Sequence, residues 1–255
     1  NPFAAKVSYC SGFDVYGDLL GKASYIEYLY LLFKLEPPSQ NHALLLEGLA
    51  VALANPGIRD HSVRGAMNAG VGGSTHASAL IAALAVGAGN LGGGREVYIM
   101  IKYWEQCGTD INAWEQMIKE PPVEEREDVW LPMEHAPGFD PNGASCTLPV
   151  RQVLEHMVNV GKGEKLEWLK ANRERLEKFS DCPLAMSGVA ATVLHELQLS
   201  PDQAEMLYLL LRLPGAAVHS LEQEKLGWRR YPFFGEGLTL TNDPGRVDKN
   251  SVGRE

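Results

Sequence analysis

The stretch from Asp60 to Val97 constrains the fold more than any other part of the chain. It has two glycine-rich segments, at 70–73 and 92–94, on either side of a run of small residues. Alanines at 79, 82, 83 and 85 allow another backbone to approach closely, and glycine supplies the tight turns that such a packing needs. The pattern predicts a central small-residue helix with a glycine hinge at each end. Two interpretations fit this stretch. In the first, a ligand or a moving segment lies at a hinge; in the second, the stretch is an ordinary core helix with flexible loops.

Composition excludes several classes of function. The chain has 255 residues, 45% of them hydrophobic and 22% charged, which is typical of a globular protein of one or two domains. Its net charge of -9 argues against a nucleic-acid or anionic-membrane surface. No apolar run approaches the length of a membrane span, and no signal peptide is recognised. We therefore expect a cytoplasmic protein; what precedes Asn1 is left open, because the sequence does not start at methionine.

The cysteines and histidines do not follow a metal-binding pattern. The four cysteines are scattered without a paired spacing, and the seven histidines form no ligand motif. We therefore predict reduced thiols and no metal site.

Helix signals dominate the rest of the chain. Ser24 with Glu27, and Ser200 with Gln203, have the spacing of N-terminal capping boxes. A clear amphipathic helix is predicted over 163–179, with leucines at 166, 169 and 176 on one side. Pro214 and Gly215 are expected to kink or end the helix that starts at Ser200. Because no strand alternation is convincing, the predicted class is all-α.

Two segments have a different character. Prolines interrupt residues 119–146, which also contain an acidic run at 123–128 that we interpret as a solvated face. The tail 235–255 is polar and rich in glycine and proline, which predicts an extended arm or disorder.

Six blocks in order resemble one known family. They are DLLGKASYIEYLYLLFKLEPPS (18–39), LLLEGLAVALANPG (44–57), the stretch 60–97, APGFDPNG (136–143), CPLAMSGVAATVLHEL (182–197) and LLRLPGAAVHSLEQEKLGWRRYP (210–232). Together they resemble the citrate synthase superfamily, in particular its citryl-CoA lyase-like branch. The resemblance implies an all-α, citrate synthase-like fold with a large helical domain (1–92 and 189–255) and a smaller inserted helical domain (93–188). It also implies a homodimer with active sites in the cleft between the domains.

The family chemistry makes or breaks a carbon–carbon bond next to a thioester. A carboxylate removes a proton from the acyl-CoA, histidines stabilise the charged oxygens, and arginines hold a carboxylic acid. At the matching positions this chain has Pro56 in place of a histidine, Ser187 in place of the aspartate, and Asp140-Pro141 in place of Gly-His. Arg212 matches the carboxylate-binding arginine. The family-like segments are kept in order, whereas most of the family's catalytic residues are replaced.

The resemblance nominates a set of site residues, each with a plainer alternative. The catalytic candidates are Asp140 as a relocated base, Ser187 as a hydrogen-bond donor and His135 as a loop histidine. In the plainer alternatives, Asp140 only shapes a turn, Ser187 is a small residue at a helix start, and His135 is an ordinary surface histidine. Further candidates bind the acid or the cofactor. The acid-binding ones are Arg212, Arg229, Arg230 and His61, and the backbone that would contact CoA lies at Leu91, Gly92 and Gly93. Arg212 could instead be satisfied by a carboxylate such as Glu205 or Glu222.

Three interpretations remain open at this point. The first is an enzyme that acts on a CoA thioester and a small carboxylic acid with non-standard catalytic residues. The second is a pseudoenzyme that binds the same ligands or a protein partner without turnover. The third is a dimeric scaffold in which helices at 78–86 and 216–221 pack across the dimer. No permanently bound cofactor is expected; the CoA thioester would be substrate or ligand.

Overall fold

The computed structural model describes residues 6–122 and 133–231. The acidic run at 123–128 and the tail 235–255 lie outside these ranges. Ten α-helices occur in the described ranges: α1 (Tyr25–Lys34), α2 (Gln40–Leu53), α3 (His61–Val71), α4 (His76–Gly87), α5 (Gly94–Cys107), α6 (Ile111–Lys119), α7 (Leu148–Gly161), α8 (Glu164–Ser180), α9 (Met186–Glu196) and α10 (Pro201–Leu226). The predicted all-α class is confirmed.

A small hairpin at the start of the described chain adds the strands that the sequence did not suggest. Strand β1 (Tyr9–Cys10) pairs antiparallel with β2 (Phe13–Asp14), and a π-helix follows over Val15–Leu19. Each strand has two residues, too few to show a period-2 pattern.

The predicted helix starts are formed as expected. The side-chain oxygens of Ser24 and Ser200 each accept a hydrogen bond from the backbone N–H three residues later. The side chains of Glu27 and Gln203 in turn accept a hydrogen bond from the backbone N–H of the cap residue. The predicted helix ends are less regular. Helix α10 continues through Pro214 instead of ending there, and the backbone N–H of the next residue is satisfied outside the helix: Gly215 N donates to Ala54 O at 2.6 Å.

The central stretch forms α3, α4 and the start of α5, joined by turns at the two glycine segments. Gly73 and Gly92 have φ values of 76° and 64°, in the left-handed region that favours glycine. The small residues allow close helix contact: a methyl group on Gly65 of α3 would lie 3.3 Å from the Ala82 carbonyl oxygen of α4. The predicted close packing is therefore confirmed.

Two hydrophobic clusters hold the helices together. The larger one joins α1, α2 and α5–α10 around Trp104, whose ring centroid lies 4.9 Å from that of Trp114 and 5.3 Å from that of Trp168. Trp104 Nε1 donates to Thr192 Oγ1 at 3.0 Å, so the buried indole is satisfied. The smaller cluster lies between α3, α4 and the second half of α10, with Val63, Met67 and Ala216 among its members.

Within the described ranges, no helix combines the length and apolar character that crossing a bilayer requires.

His195 makes the stability of the larger cluster depend on pH. Its ring stacks on Trp104, with centroids 6.2 Å apart, and burial lowers its pKa from 6.5 to about 4, with a further contribution from Lys165. Because the unfolded chain takes up a proton near pH 6.5 and the folded protein only near pH 4, the stabilisation is complete above pH 6.5 and is lost as the pH falls through this window.

We expect His195→Gln to reduce the acid-induced loss of stability between pH 6.5 and 4 by roughly 2 kcal/mol, allowing for solvent screening. The measurement is urea unfolding at a series of pH values. His76→Gln is the control, because His76 is exposed at the start of α4. Equal pH dependence in the wild type and His195→Gln would contradict the assignment.

Candidate functional site

The loop before α7 is held against the start of α9. Ala185 N donates to Gly138 O at 2.9 Å, and Asp140 N donates to Pro183 O at 2.8 Å. Gly138 has a φ of 86°, and a methyl group there would lie 2.9 Å from the Gly188 Cα. The two glycines therefore allow the loop backbone to touch the first turn of α9.

Glu96, in the first turn of α5, lies at the centre of this contact. Its side chain is 1% exposed and accepts from Gly138 N at 2.7 Å, from Ser187 Oγ at 2.9 Å and from Gly92 N. All three bonds are accepted by the carboxylate, which is the pattern of an ionised group. One side chain thus ties together the turn before α5, the loop and the start of α9.

His135 faces the same carboxylate. Its Nε2 lies 3.8 Å from Glu96 Oε1, too far for a direct hydrogen bond, and its side chain is only 8% exposed. Among the described residues Nε2 has no hydrogen-bond partner. A buried polar atom at this distance from a carboxylate is placed so that a third polar atom can bridge the two. We call Gly92, Glu96, His135, Gly138 and Ser187 the Glu96 cluster.

Arg212 binds the carbonyl of Gly92, the residue whose N–H binds Glu96. Gly92 O accepts from Arg212 Nη1 and from Tyr208 Oη, both at 2.9 Å, while Gly92 N donates to Glu96. Arg212 Nη2 pairs with Asp60 Oδ2. Burial raises the pKa of Tyr208 to about 12, and the charges of Glu96 and Asp60 add to this effect while Arg212 opposes it. The hydroxyl is therefore a neutral hydrogen-bond donor at neutral pH.

Asp140 uses its carboxylate within its own turn. Oδ1 accepts from Asn142 N at 2.9 Å, the arrangement typical of an aspartate that shapes a turn. Its charge also acts on Cys182: burial raises the pKa of that thiol first, and Asp181 and Asp140 raise it further. Asp140 thus faces the turn between α8 and α9.

The remaining sequence candidates are at the surface or beside the cluster. His61 is the exposed first residue of α3, and Arg229 and Arg230 are exposed in a short 3-10 helix after α10. Leu91 is 41% exposed, and Gly93 is buried. Ser187, His135, Gly92 and Arg212 are therefore brought together, while no described contact joins His61, Arg229 or Arg230 to them.

Sequence reasoning missed Glu96, Asp60 and Tyr208. A glutamate in the first turn of a helix is ordinarily explained by the helix dipole, and an aspartate before a helix by capping. The one available signal was the position of Glu96 directly after the second glycine segment, where backbone and side chain are forced close together. Over the described residues, no group of three metal-ligating side chains forms.

Comparison with known proteins shows the fold. No protein-family model and no curated protein matches the sequence. Solved structures do match. The citryl-CoA lyase from Hydrogenobacter thermophilus has a TM-score of 0.68 at 18% identity, over 97% of this chain and 95% of that one. The chain therefore has a citrate synthase-like fold, as the sequence predicted.

Two larger proteins contain a similar unit. The ATP citrate lyase from Methanothrix soehngenii, in complex with citrate and coenzyme A, has a TM-score of 0.68 at 17% identity. A variant of the Methanosaeta concilii ATP citrate lyase, in complex with (3S)-citryl-CoA, has a TM-score of 0.67 at 17% identity. Each alignment covers 96% of this chain but only 40% of the ATP citrate lyase chain.

We expect Gly188→Ala to separate the loop from α9 and to destabilise the protein by about 1 to 3 kcal/mol, because the added methyl group meets the Gly138 carbonyl oxygen. Urea unfolding measures the change. Gly48→Ala is the matched control, a helical glycine of α2 whose nearest contacts are the ends of side chains, His156 Nε2 at 3.1 Å and Met157 Cε at 3.2 Å. A loss in Gly188→Ala no larger than in the control would refute the tight contact.

Proposed function

We propose that this protein acts on a CoA thioester and makes or breaks the carbon–carbon bond next to the thioester carbonyl. The observation that carries the proposal is the buried carboxylate of Glu96, flanked by His135 and Ser187, where three of the family-like segments meet. The fold supports it, since neighbours of the same fold hold citrate, coenzyme A and citryl-CoA.

The Glu96 cluster supplies the groups that this chemistry needs. In the condensation direction Glu96 takes a proton from the carbon beside the thioester carbonyl, and the C–H electron pair becomes the enolate. The enolate carbon then attacks the carbonyl carbon of the partner, whose oxygen takes up the negative charge. His135 Nε2 is the donor for a charged oxygen, which is the role that such positioned donors have in enolate chemistry. Cleavage follows the same steps in reverse.

The carboxylate is thus present, but at position 96 and not at position 187. Ser187 Oγ lies 2.9 Å from Glu96 Oε1 and orients it. The CoA thioester is substrate and no cofactor is held permanently. Because the N–H of Gly92 is already bound by Glu96 and Gly93 is buried, the exposed Leu91 is the residue of this turn that remains to contact CoA.

A non-catalytic ligand-binding protein is the second candidate, and the enclosure of Glu96 favours it. The carboxylate is 1% exposed, and Arg212 is already paired with Asp60. A protein of this kind would bind a CoA thioester without removing its proton.

We also propose a homodimer formed through α4 and α10. Exposed apolar side chains lie on both helices: Ile81 is 64% exposed, Val86 45%, Val218 58% and Leu221 44%. Helices α4 and α10 pack against each other, and the proposal places their exposed apolar side chains in one contact with the second copy.

Proton exchange tests the role of Glu96 without knowledge of the partner acid. In deuterium oxide the wild type is expected to replace the methyl protons of acetyl-CoA by deuterium, followed by proton NMR. Glu96→Gln is expected to slow this exchange by about 100-fold or more, because an amide cannot accept the proton. Calorimetry with acetyl-CoA and a melting curve establish that the variant is folded and binds.

Two further variants sharpen the exchange experiment. Glu155→Gln is the matched control, because Glu155 is a half-exposed glutamate that pairs with Lys170 on the surface. Asp140→Asn decides between the two carboxylates: abolished exchange in this variant alone would transfer the role of base to Asp140. Wild-type protein that binds acetyl-CoA without exchange would support the non-catalytic candidate instead.

For the dimer, we expect Ile81→Glu to weaken self-association at least about tenfold, since a buried charge would face the apolar surface of the second copy. Sedimentation velocity at micromolar concentration measures it. Leu148→Glu is the control, as Leu148 is 57% exposed at the start of α7, which packs against α2, α8 and α9. A monomeric wild type would rule out the proposed dimer.

A further inference from the structure

Both terminal nitrogens of the Arg212 guanidinium are engaged by the protein itself. Nη2 pairs with Asp60 Oδ2, Nη1 donates to Gly92 O at 2.9 Å, and the guanidinium carbon lies 4.9 Å from the centre of the Tyr208 ring. The Arg212 side chain is 7% exposed and that of Asp60 18%. Arginine binds a carboxylate best through its two-pronged edge, and one prong is here taken by a carboxylate of the same chain.

Asp60 is held in place independently of Arg212. It is the N-cap residue of α3: Oδ1 accepts from Ser62 N at 2.9 Å, from Val63 N at 3.2 Å and from Ser62 Oγ. The cap directs Oδ2 towards Arg212 before any ion pair forms. Surface ion pairs are weakened by the entropy that their side chains lose on becoming ordered. Here the cap has already ordered the Asp60 side chain.

The charges around the Glu96 cluster disfavour a second carboxylate. The negative charge of Asp60 compensates the positive charge of Arg212. Glu96 contributes a further negative charge at the N–H of Gly92, the residue whose carbonyl binds Arg212. Arg95 points elsewhere, since its guanidinium lies 4.3 Å from the centre of the Tyr98 ring and its charge acts on Glu205. A ligand carboxylate near Arg212 would thus be desolvated next to two acidic groups.

The geometry points to Asp60 as a specificity-determining residue that excludes a ligand carboxylate from Arg212. The inference rests on the proposed function and narrows its substrate class: the partner joined to or released from the thioester is uncharged at the end that faces Arg212. A citrate-type ligand that would place a carboxylate against Arg212 is discriminated against.

The experiment compares citrate binding in the full-length wild type and in Asp60→Asn. Asparagine is as good an N-cap as aspartate, so α3 is kept while the ion pair is removed. We expect no citrate binding by the wild type and a gain of at least about tenfold in affinity in Asp60→Asn, measured by calorimetry and by the shift in melting temperature.

Two controls make the gain specific. Asp110→Asn changes the N-cap of α6, where Oδ1 likewise accepts from the second and third backbone N–H groups, and it is expected to gain nothing. The double variant Asp60→Asn/Arg212→Gln removes both charges, which avoids an unpaired buried ion, and it is expected to lose the gain.

Either of two results would overturn the inference: citrate binding by the wild type as tight as by Asp60→Asn, or a gain that persists in the double variant. Absence of any gain in folded Asp60→Asn would overturn it as well. If Asp60→Asn does not fold, Asp60→Ser, which also keeps a capping side chain, takes its place with the same expected gain. Parallel titration with acetyl-CoA separates this question from the proposed function. Failure of every form to bind acetyl-CoA would refute the proposed function, while the citrate comparison would still report on Asp60.

Discussion

A carboxylate that is removed from water must be given hydrogen-bond donors, and much of this structure follows from meeting that requirement at Glu96. The donors come from three separate parts of the chain: the turn at Gly92, the loop at Gly138 and the start of α9 at Ser187. Leaving one of them out would expose the penalty of an unsatisfied buried charge, about 1 to 3 kcal/mol or more per lost partner. Glu96 therefore positions these segments as much as they position it.

Much of the fold was predictable, because its signals are local. The capping boxes at Ser24 and Ser200 need only residues three positions apart, and the leucine spacing of α8 identifies its buried face. Pro214 shows where local rules stop. Proline removes one helical hydrogen bond, and the N–H of the next residue, Gly215, donates to Ala54, far away in sequence, instead of within the helix; α10 nevertheless continues to Leu226.

The candidate site was less predictable for the same reason. Ser187, His135 and Arg212 were reached through the family-like motifs, and the structure brings them close to one another. Their acidic partners could not be reached in this way. Glu96 contacts Gly138 and Ser187, which are 42 and 91 positions away in sequence, and Arg212 contacts Asp60, which is 152 positions away. Only the way α5, α9 and α10 pack reveals that both charges have partners. Position 187 carries a serine, which cannot act as a carboxylate base, but the buried carboxylate of Glu96 accepts from its hydroxyl at 2.9 Å.

Gly92 has a consequence for how the site can vary. Its N–H donates to an anion, Glu96, and its carbonyl accepts from a cation, Arg212. These two groups belong to the peptide groups on either side of the Gly92 Cα, and the positive φ of this residue helps to set their relative orientation. Glu96 and Arg212 therefore hold the same residue of the turn without touching each other. Substitutions at positions 96 and 212 are thus expected to be non-additive in their effect on stability.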